Sequence, residues 1–391
     1  VTTSTPPESK AAYTIDKTYL TTVLDKLLRT PSPSGMTDDS VRLLCQELEN
    51  LGIHYELTRR GAIRANLAGS APSPEDGTPR IRRAIAAHLD TLGAMVKQLK
   101  PNGRLGVVPI GFWSARFAEG ARCTIHTDQG QFRGTLLPLK ASGHTYNQEI
   151  DSQPSEWPNI ELRIDAQLHS LHDIWAAGIR VGDFISIDPK PEFAENGFIN
   201  ARHLDDKAGV AAILAAAKAI IDAGMAPTLD CSLLFTISEE VGVGASHILH
   251  GDVAEMVSVD NGTIAPCQNT CEYGVTVAMQ DSSGPFDRHL TQHLIQLCMK
   301  NNIDFSRDVF LYYRSDAAAA LEAGNDIRTA LICFALDASH GFERTHVDSL
   351  KCVSRLLTEY MLSPPLFGTH ENVIGTVDAY PMIRNPEQYS S

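Results

Sequence analysis

The sequence predicts an α/β protein whose sheet-and-helix body is interrupted by a small all-β insertion. Three observations predict it. Helical segments alternate with apolar strands in both flanks of the chain, and the stretch from about residue 92 to 186 breaks into short strands punctuated by glycines. Acids and histidines also recur at the ends of apolar strands, the edge at which open α/β sheets bind ligands. A chain of 391 residues exceeds a comfortable single core, so one large discontinuous domain, 1–91 with 187–391, is expected to carry a smaller one, 92–186.

Taken in order, the chain opens with a polar, Pro-containing leader expected to fray. Tyr19–Leu28 then reads as a helix, broken by Arg29-Thr-Pro-Ser-Pro-Ser-Gly35. Val41, Leu44, Leu48 and Leu51 line one face of a second helix over Asp38–Leu51, stopped by Gly52. Strands follow over Tyr55–Thr58 and Ala62–Leu67, then a turn-rich loop from Ser70 to Pro79. Ile81–Leu89 becomes wholly apolar at Ala84-Ile-Ala-Ala87, as in a strand entering a covered sheet, and it delivers His88 and Asp90 to its carboxyl end.

The insertion is read as strands Ala94–Leu99, Arg104–Val108, Arg122–Thr127, Gln131–Leu136 and Phe184–Ile187, with a loop over Gly143–Trp157. Beyond it come helix Asp206–Ala223, buried strand Cys231–Ile237, short helix Ala245–Leu249 and strand Glu255–Val259. Helix Phe286–Asn301, helix Asp316–Glu322, strand Thr329–Phe334 and helix Asp348–Met361 follow, and a Pro-rich tail closes the chain.

Composition narrows the function classes. Hydrophobic residues make up 43% and charged residues 20%, as in an ordinary globular protein, and 33 basic against 47 acidic residues give a net charge of −14. That balance argues against nucleic acid or an anionic membrane as partner. The most apolar long segment, Ala208–Ile221, is Ala-rich and bounded by charges, so no membrane span is expected. The first residues lack a basic region followed by an apolar core, so no secretory signal is expected either. Eight cysteines lie scattered in apolar surroundings, which suits free thiols in the reducing cytoplasm. Cys267 and Cys271 have no second pair at zinc-finger spacing.

The chemistry gathers in five places. Phe198-Ile-Asn-Ala-Arg-His-Leu-Asp-Asp-Lys-Ala-Gly209 puts two adjacent carboxylates just before a long helix, with Asp205 the candidate to bridge two cations. Two close divalent ions need one spanning carboxylate and about two further hard or borderline side chains each. His88-Leu-Asp90 places two polar side chains on one strand face, where Asp90 could orient the His88 ring. Glu239-Glu240 joins two like charges at a strand end, one suited to a metal and the other, Glu239, to a general base. Asp260 ends a strand, although Asn261-Gly262 alone would read as an Asx turn. His340 follows the last strand, with His346 close behind as its competitor. Asp316 reads either as a buttress to a ligand or as a helix cap, and His144, His172, Trp113 and Trp157 read as surface or packing residues.

His88-Leu-Asp90, Arg202-His-Leu-Asp-Asp-Lys207, Ile237-Ser-Glu-Glu-Val-Gly242, Val259-Asp-Asn-Gly262 and Arg314-Ser-Asp-Ala317 resemble, in order and over nearly the whole chain, the motifs of the cobalt- or zinc-dependent aminopeptidases that build tetrahedral (TET) particles. The resemblance implies a mixed central sheet covered by helices and interrupted by a β-barrel-like dimerisation domain. It implies a binuclear metal site: His88 and Asp260 on one ion, Glu240 and His340 on the other, Asp205 between them, Glu239 as base. Zinc is the first candidate metal, with cobalt and manganese suited by the same donors. It further implies a short peptide as substrate and a homo-oligomer between dimer and dodecamer. Asp337-Ala-Ser-His-Gly-Phe-Glu-Arg-Thr-His346 departs from the family's usual Arg-Tyr-x-His-Ser-Pro-x-Glu; the following Glu343 favours His340 as ligand. Leu139-Lys-Ala-Ser-Gly-His-Thr-Tyr146, Met279-Gln-Asp-Ser-Ser-Gly-Pro-Phe286 and Ala338-Ser-His-Gly-Phe-Glu-Arg-Thr-His346 resemble the branch associated with biosynthesis of the osmoprotectant N-acetylglutaminylglutamine amide. Two readings therefore stand beside the aminopeptidase: an amidohydrolase or deacylase acting on a capped dipeptide, and a non-catalytic scaffold on a peptidase fold. Loss of a ligand would mark the scaffold, and every expected position is filled.

Overall fold

The computed structural model describes residues 12–71 and 82–366. The leader, most of the Ser70–Pro79 loop, Ile81 and most of the tail, all read above, lie outside them. Helices α1 (Lys17–Arg29) and α2 (Asp38–Asn50) are amphipathic, and Leu20, Leu24, Leu27, Leu44 and Leu48 are fully buried. Asp16 caps α1 by accepting from the Tyr19 N–H at 2.9 Å. Strands β1 (His54–Leu57), β2 (Ile63–Leu67) and β3 (Arg82–His88) follow, and Ala84-Ile-Ala-Ala87 of β3 is wholly buried as its sequence requires.

The insertion is a closed six-stranded barrel. It comprises β4 (Gly93–Leu99), β5 (Leu105–Ile110), α3 (Ala115–Ala118), β6 (Arg122–Thr127), β7 (Gly130–Pro138), α4 (Gly143–Tyr146), α5 (Glu149–Ser152), β8 (Ile160–Ile164), α6 (Leu171–Ala176) and β9 (Phe184–Ile187). The strands close in the order β4-β5-β8-β7-β6-β9 around Val96, Leu105, Ile125, Leu136, Leu162 and Ile185. Strand β8 is absent from the sequence reading, yet it closes the ring. Its alternation of Ile160, Leu162 and Ile164 with Glu161 and Arg163 is an ordinary strand signal standing behind a turn-rich stretch. The expected loop over Gly143–Trp157 contains the short turns α4 and α5.

The body resumes with β10 (Glu192–Phe193), β11 (Phe198–Ala201), α7 (Leu204–Asp222), β12 (Asp230–Thr236), β13 (Val253–Thr263), β14 (Val275–Asp281), β15 (Gly284–Pro285), α8 (Arg288–Lys300), β16 (Phe305–Val309), α9 (Asp316–Glu322), β17 (Arg328–Leu336), β18 (Glu343–His346) and α10 (Val347–Leu362). The main sheet runs β1-β2-β12-β3-β13-β17-β14-β15, with β16 paired to β14. It is mixed: β12, β3, β13 and β17 are parallel, and antiparallel partners flank them. β10, β11 and β18 form a small separate sheet. Helix α7 is apolar on all sides and packs against α1, α10 and β3, its alanines permitting close approach. Asp205 and Asp206 keep non-helical backbone, so regular helix begins at Lys207.

One expectation fails at β13. The strand continues through Asn261-Gly262 to Thr263, because these residues keep a parallel ladder with Phe334, Ala335 and Leu336, and the ladder outweighs the Asx-turn preference. Among the described residues no helix is long and apolar enough to cross a membrane. All eight cysteines are free, with only Cys267 exposed.

Candidate metal centre

Parallel pairing of β12, β3, β13 and β17 points their carboxyl ends the same way, and this brings side chains distant in sequence to one edge. His88 is the last residue of β3, Glu239 and Glu240 form a tight turn after β12, and Asp260 lies within β13. Asp205 precedes the regular part of α7, and His340 sits in the turn between β17 and β18 with φ of 67°.

Asp205 lies at the middle of the cluster. Its Oδ1 is 3.1 Å from His88 Nε2, and its Oδ2 is 3.3 Å from His340 Nε2. A donor atom from each of His88, Asp205 and Asp260 falls within 4.8 Å of the others, and His340 Nε2 is 3.7 Å from Glu240 Oε2 on the opposite side. Glu239 Oε2 is 3.8 Å from His88 Nε2. His346 is elsewhere: its Nε2 faces the Asn196 carbonyl at 2.9 Å, and its Nδ1 accepts from the Asp348 N–H at the start of α10. Of the two competing histidines, the fold brings only His340 beside Asp205 and Glu240.

Asp90 contacts His88 differently from the side-chain pairing expected. His88 Nδ1 is 3.0 Å from the Asp90 main-chain carbonyl and 3.6 Å from its carboxylate. The carboxylate instead accepts from the Ser34 hydroxyl and from the Glu239 N–H at 3.1 Å, tying β3 to the Glu239 turn. Asp316 is not the cap, since Ser315 caps α9; it is buried beside the cluster, where its carboxylate accepts from the Thr236 hydroxyl at 2.9 Å and its charge adds to burial in raising the proton affinity of Glu239 and Asp260. His144 and His172 are exposed, while Trp113 packs edge-on against Trp157 at 4.8 Å.

The sequence reading did not reach the contacts that several supporting residues make. Asn261 Nδ2 donates to Asp205 Oδ2 at 2.8 Å and to Asp260 Oδ1 at 3.1 Å, spanning two carboxylates. Buried Glu343 accepts from the backbone N–H of His340 at 2.9 Å and of Asp205 at 3.2 Å, so it fixes both ends of that pair. Asp206 accepts from the His88 N–H at 3.0 Å, and Tyr313 donates to the Asn261 carbonyl at 2.7 Å. The textual signals were the Asp205-Asp206 doublet, the Asp260-Asn261 doublet, the Glu343 three places after His340 and, for Tyr313, the polar stretch Tyr312-Tyr-Arg-Ser-Asp316 as a pocket lining.

The electrostatics describe a surplus of buried negative charge. Burial, then the charge of Asp205, lifts Glu240 to about 8 and Asp260 to about 7, and burial lifts Glu239 well above the carboxylate range. Burial opposes charge on His340, but its contact with Asp205 and the charge of Glu240 carry it up to about 10. Burial also opposes charge on Asp205, yet the two histidines hold it below the usual range. Glu240 Oε1 and Asp206 Oδ1 are buried without hydrogen-bond partners. Carboxylates and imidazoles so placed are the donors that zinc, cobalt and manganese accept, and the orphaned Glu240 oxygen is what a bound cation would satisfy. The residues fit a divalent metal.

Known proteins are similar to this chain over half of its length or more. The YhfE protein of Bacillus subtilis (strain 168) is 37% identical over 343 residues, 88% of this chain and 97% of that one. The glutamyl aminopeptidase of Lactococcus lactis subsp. cremoris is 28% identical over 204 residues, 51% of this chain and 53% of its own. The same fold occurs in a TET aminopeptidase from a marine sediment archaeon, Thaumarchaeota archaeon SCGC AB-539-E09, at a TM-score of 0.78 and 17% identity, covering 88% of this chain and 96% of that one. It occurs also in the TET1 peptidase of Pyrococcus horikoshii, at 0.77 and 20%, covering 88% and 100%. The sequence profile of the M42 glutamyl aminopeptidases matches residues 66–356, and the chain belongs to that family.

Proposed function

We propose that the chain is a two-metal aminopeptidase that removes N-terminal residues from short peptides, with zinc as the first candidate metal. The observation that carries this reading is Asp205, whose two oxygens face His88 and His340 separately, so that one carboxylate can serve two cations. His88 and Asp260 would hold one ion, and Glu240 and His340 the other. When bound, the pair would polarise the scissile carbonyl and acidify the attacking water.

The chain's own groups do the rest. Glu239, with its carboxylate largely buried and its N–H anchored on Asp90, takes the proton of the attacking water and returns it to the leaving amine. Burial raises its proton affinity, the direction in which a carboxylate becomes a stronger base. Asn261 and Glu343 hold Asp205 and His340 in register.

The β barrel is proposed as the dimerisation domain of a homo-oligomer; the Pyrococcus horikoshii TET1 peptidase, which shares the fold, is described as assembling into a tetrahedron or a large octahedral shell. Buried free cysteines support a cytoplasmic setting. A narrower substrate, a capped dipeptide of osmoprotectant metabolism, rests on the three stretches that resemble that branch, the His340 turn among them. Hydrolysis assays of the zinc-loaded protein on free-amine and N-acetylated dipeptides separate the two. The aminopeptidase reading expects release from the free-amine series; release confined to acetylated dipeptides would replace it with the amidohydrolase.

A further inference from the structure

The inserted barrel reaches into the metal centre. Beyond β5 the chain turns through Gly111, Phe112 and Trp113 before α3, and the Phe112 residue is 91% exposed. What faces inward is its carbonyl, 2.8 Å from His340 Nδ1. A carbonyl oxygen can only accept, so this contact places the hydrogen on Nδ1. In neutral His340 the lone pair then belongs to Nε2, the nitrogen facing Asp205 and Glu240.

The turn is fixed from three sides. Gly111 has φ of +81°, and a Cβ there would lie 2.5 Å from Leu92 Cδ2 and 3.4 Å from both Cβ and O of Glu240. Trp113 Nε1 donates to the Gly93 carbonyl at 3.0 Å and its ring packs on Trp157. Arg202 spans the seam between barrel and body, donating to the Phe117 carbonyl in α3 at 2.7 Å and to the Gly341 carbonyl beside His340 at 3.4 Å. A Cβ on Gly341 would meet the Phe117 ring at 3.1 Å, so the His340 turn and the barrel are in close contact.

We propose that the Gly111–Phe112 turn is a positioning element of the metal centre: it sets the tautomer and the place of His340, so the barrel completes the second cation site. This rests on the two-metal reading above. Its test is zinc titration calorimetry of the metal-free full chain in the wild type, Gly111→Val and Gly120→Ala. Gly120 also has positive φ, at +78°, but a Cβ there meets nothing within 4 Å, so it controls for backbone strain in the barrel. Gly111→Val is expected to weaken one of two zinc affinities by roughly 10- to 100-fold and leave the other within about twofold. Gly120→Ala is expected to leave both unchanged. Equal affinities in wild type and Gly111→Val, or an equal loss in Gly120→Ala, would overturn the proposal.

Should Gly111→Val not fold, solid-state NMR of the zinc-loaded wild type with 15N-labelled histidine gives the answer directly, with His340→Gln for assignment. Hydrogen on Nδ1 and zinc on Nε2 is the expected result, and zinc on Nδ1 would overturn it. A wild type that takes up no zinc would instead sink the two-metal reading itself, an outcome distinct from two intact sites in the variant.

Discussion

Strands β3 and β13 carry buried charge at both of their ends, and the two ends treat it in opposite ways. At the amino ends Arg83 pairs with Glu255 at 2.6 Å, and neither of these two side chains keeps a buried polar atom without a hydrogen-bond partner. Arg83 also donates to the carbonyls of Tyr360, Ser363 and Pro364, lies 4.6 Å from the Tyr360 ring centroid, and shares Glu255 with the Tyr360 hydroxyl. At the carboxyl ends, His88 and Asp260 stand among carboxylates that raise one another's proton affinity, and a Glu240 oxygen has no partner. One sheet thus holds a closed ion pair that welds α10 to the core and an open cluster of charge whose donors fit a cation. A satisfied buried charge is architecture; an unsatisfied one at a strand's carboxyl end is a site.

Four predictions break or sharpen that contrast. The largest effect is expected at the open end: Glu239→Gln should lose roughly 10²–10⁴ in turnover while keeping its metal, read by steady-state kinetics beside metal analysis. Unchanged turnover would remove Glu239 from the base role. At the closed end, Arg83→Met leaves Glu255 buried and unpaired, and denaturant unfolding should show a loss of about 3–5 kcal/mol. A milder effect belongs to Asn261→Ala, which removes donors to Asp205 and Asp260 and should weaken zinc binding by roughly 10- to 100-fold with little change in unfolding.

The smallest effect is a gain. Glu240→Gln removes surplus charge, so the metal-free protein should be stabilised by about 1 kcal/mol near pH 8 while zinc affinity collapses. The sign follows from proton binding. Folding raises Glu240 from 4.5 to about 8 and His340 from 6.5 to about 10, so the folded state holds more protons than the unfolded chain across those intervals. The resulting stability is full at low pH and is lost as pH rises through the folded values. Zinc displaces the same protons, so its apparent affinity should rise with pH by about tenfold per unit for each proton released. Metal-free melting temperatures that rise between pH 6 and 9 in step with these groups, and do not change in Glu240→Gln, would contradict the charge-cluster account.

Much of this was legible in the text, for physical reasons. The apolar run Ala84-Ile-Ala-Ala87 reads as a covered strand because burial on both faces leaves no room for alternation, and His88 at its end follows directly. The glycine-punctuated stretch announces a small β structure because short barrel strands need frequent turns. What stayed hidden were contacts made by backbone or by partners chosen through tertiary packing. The Phe112 carbonyl carries no residue-type signal, Asn261 reads locally as a turn former, and the convergence of Glu343 on two separate N–H groups exists only once β18 pairs with β11 beside Asp205. Glu343 already favours His340 over His346 in the text, and the α10 cap, which engages His346, supplies the structural reason.

The measurement closest to the central claim is anomalous diffraction at the zinc edge from crystals of the zinc-loaded protein. The account predicts two peaks in each protomer, one on either side of the Asp205 carboxylate, the first shared with His88 and Asp260 and the second with Glu240 and His340. A single peak away from Asp205, or none in a fully folded protein, would contradict it.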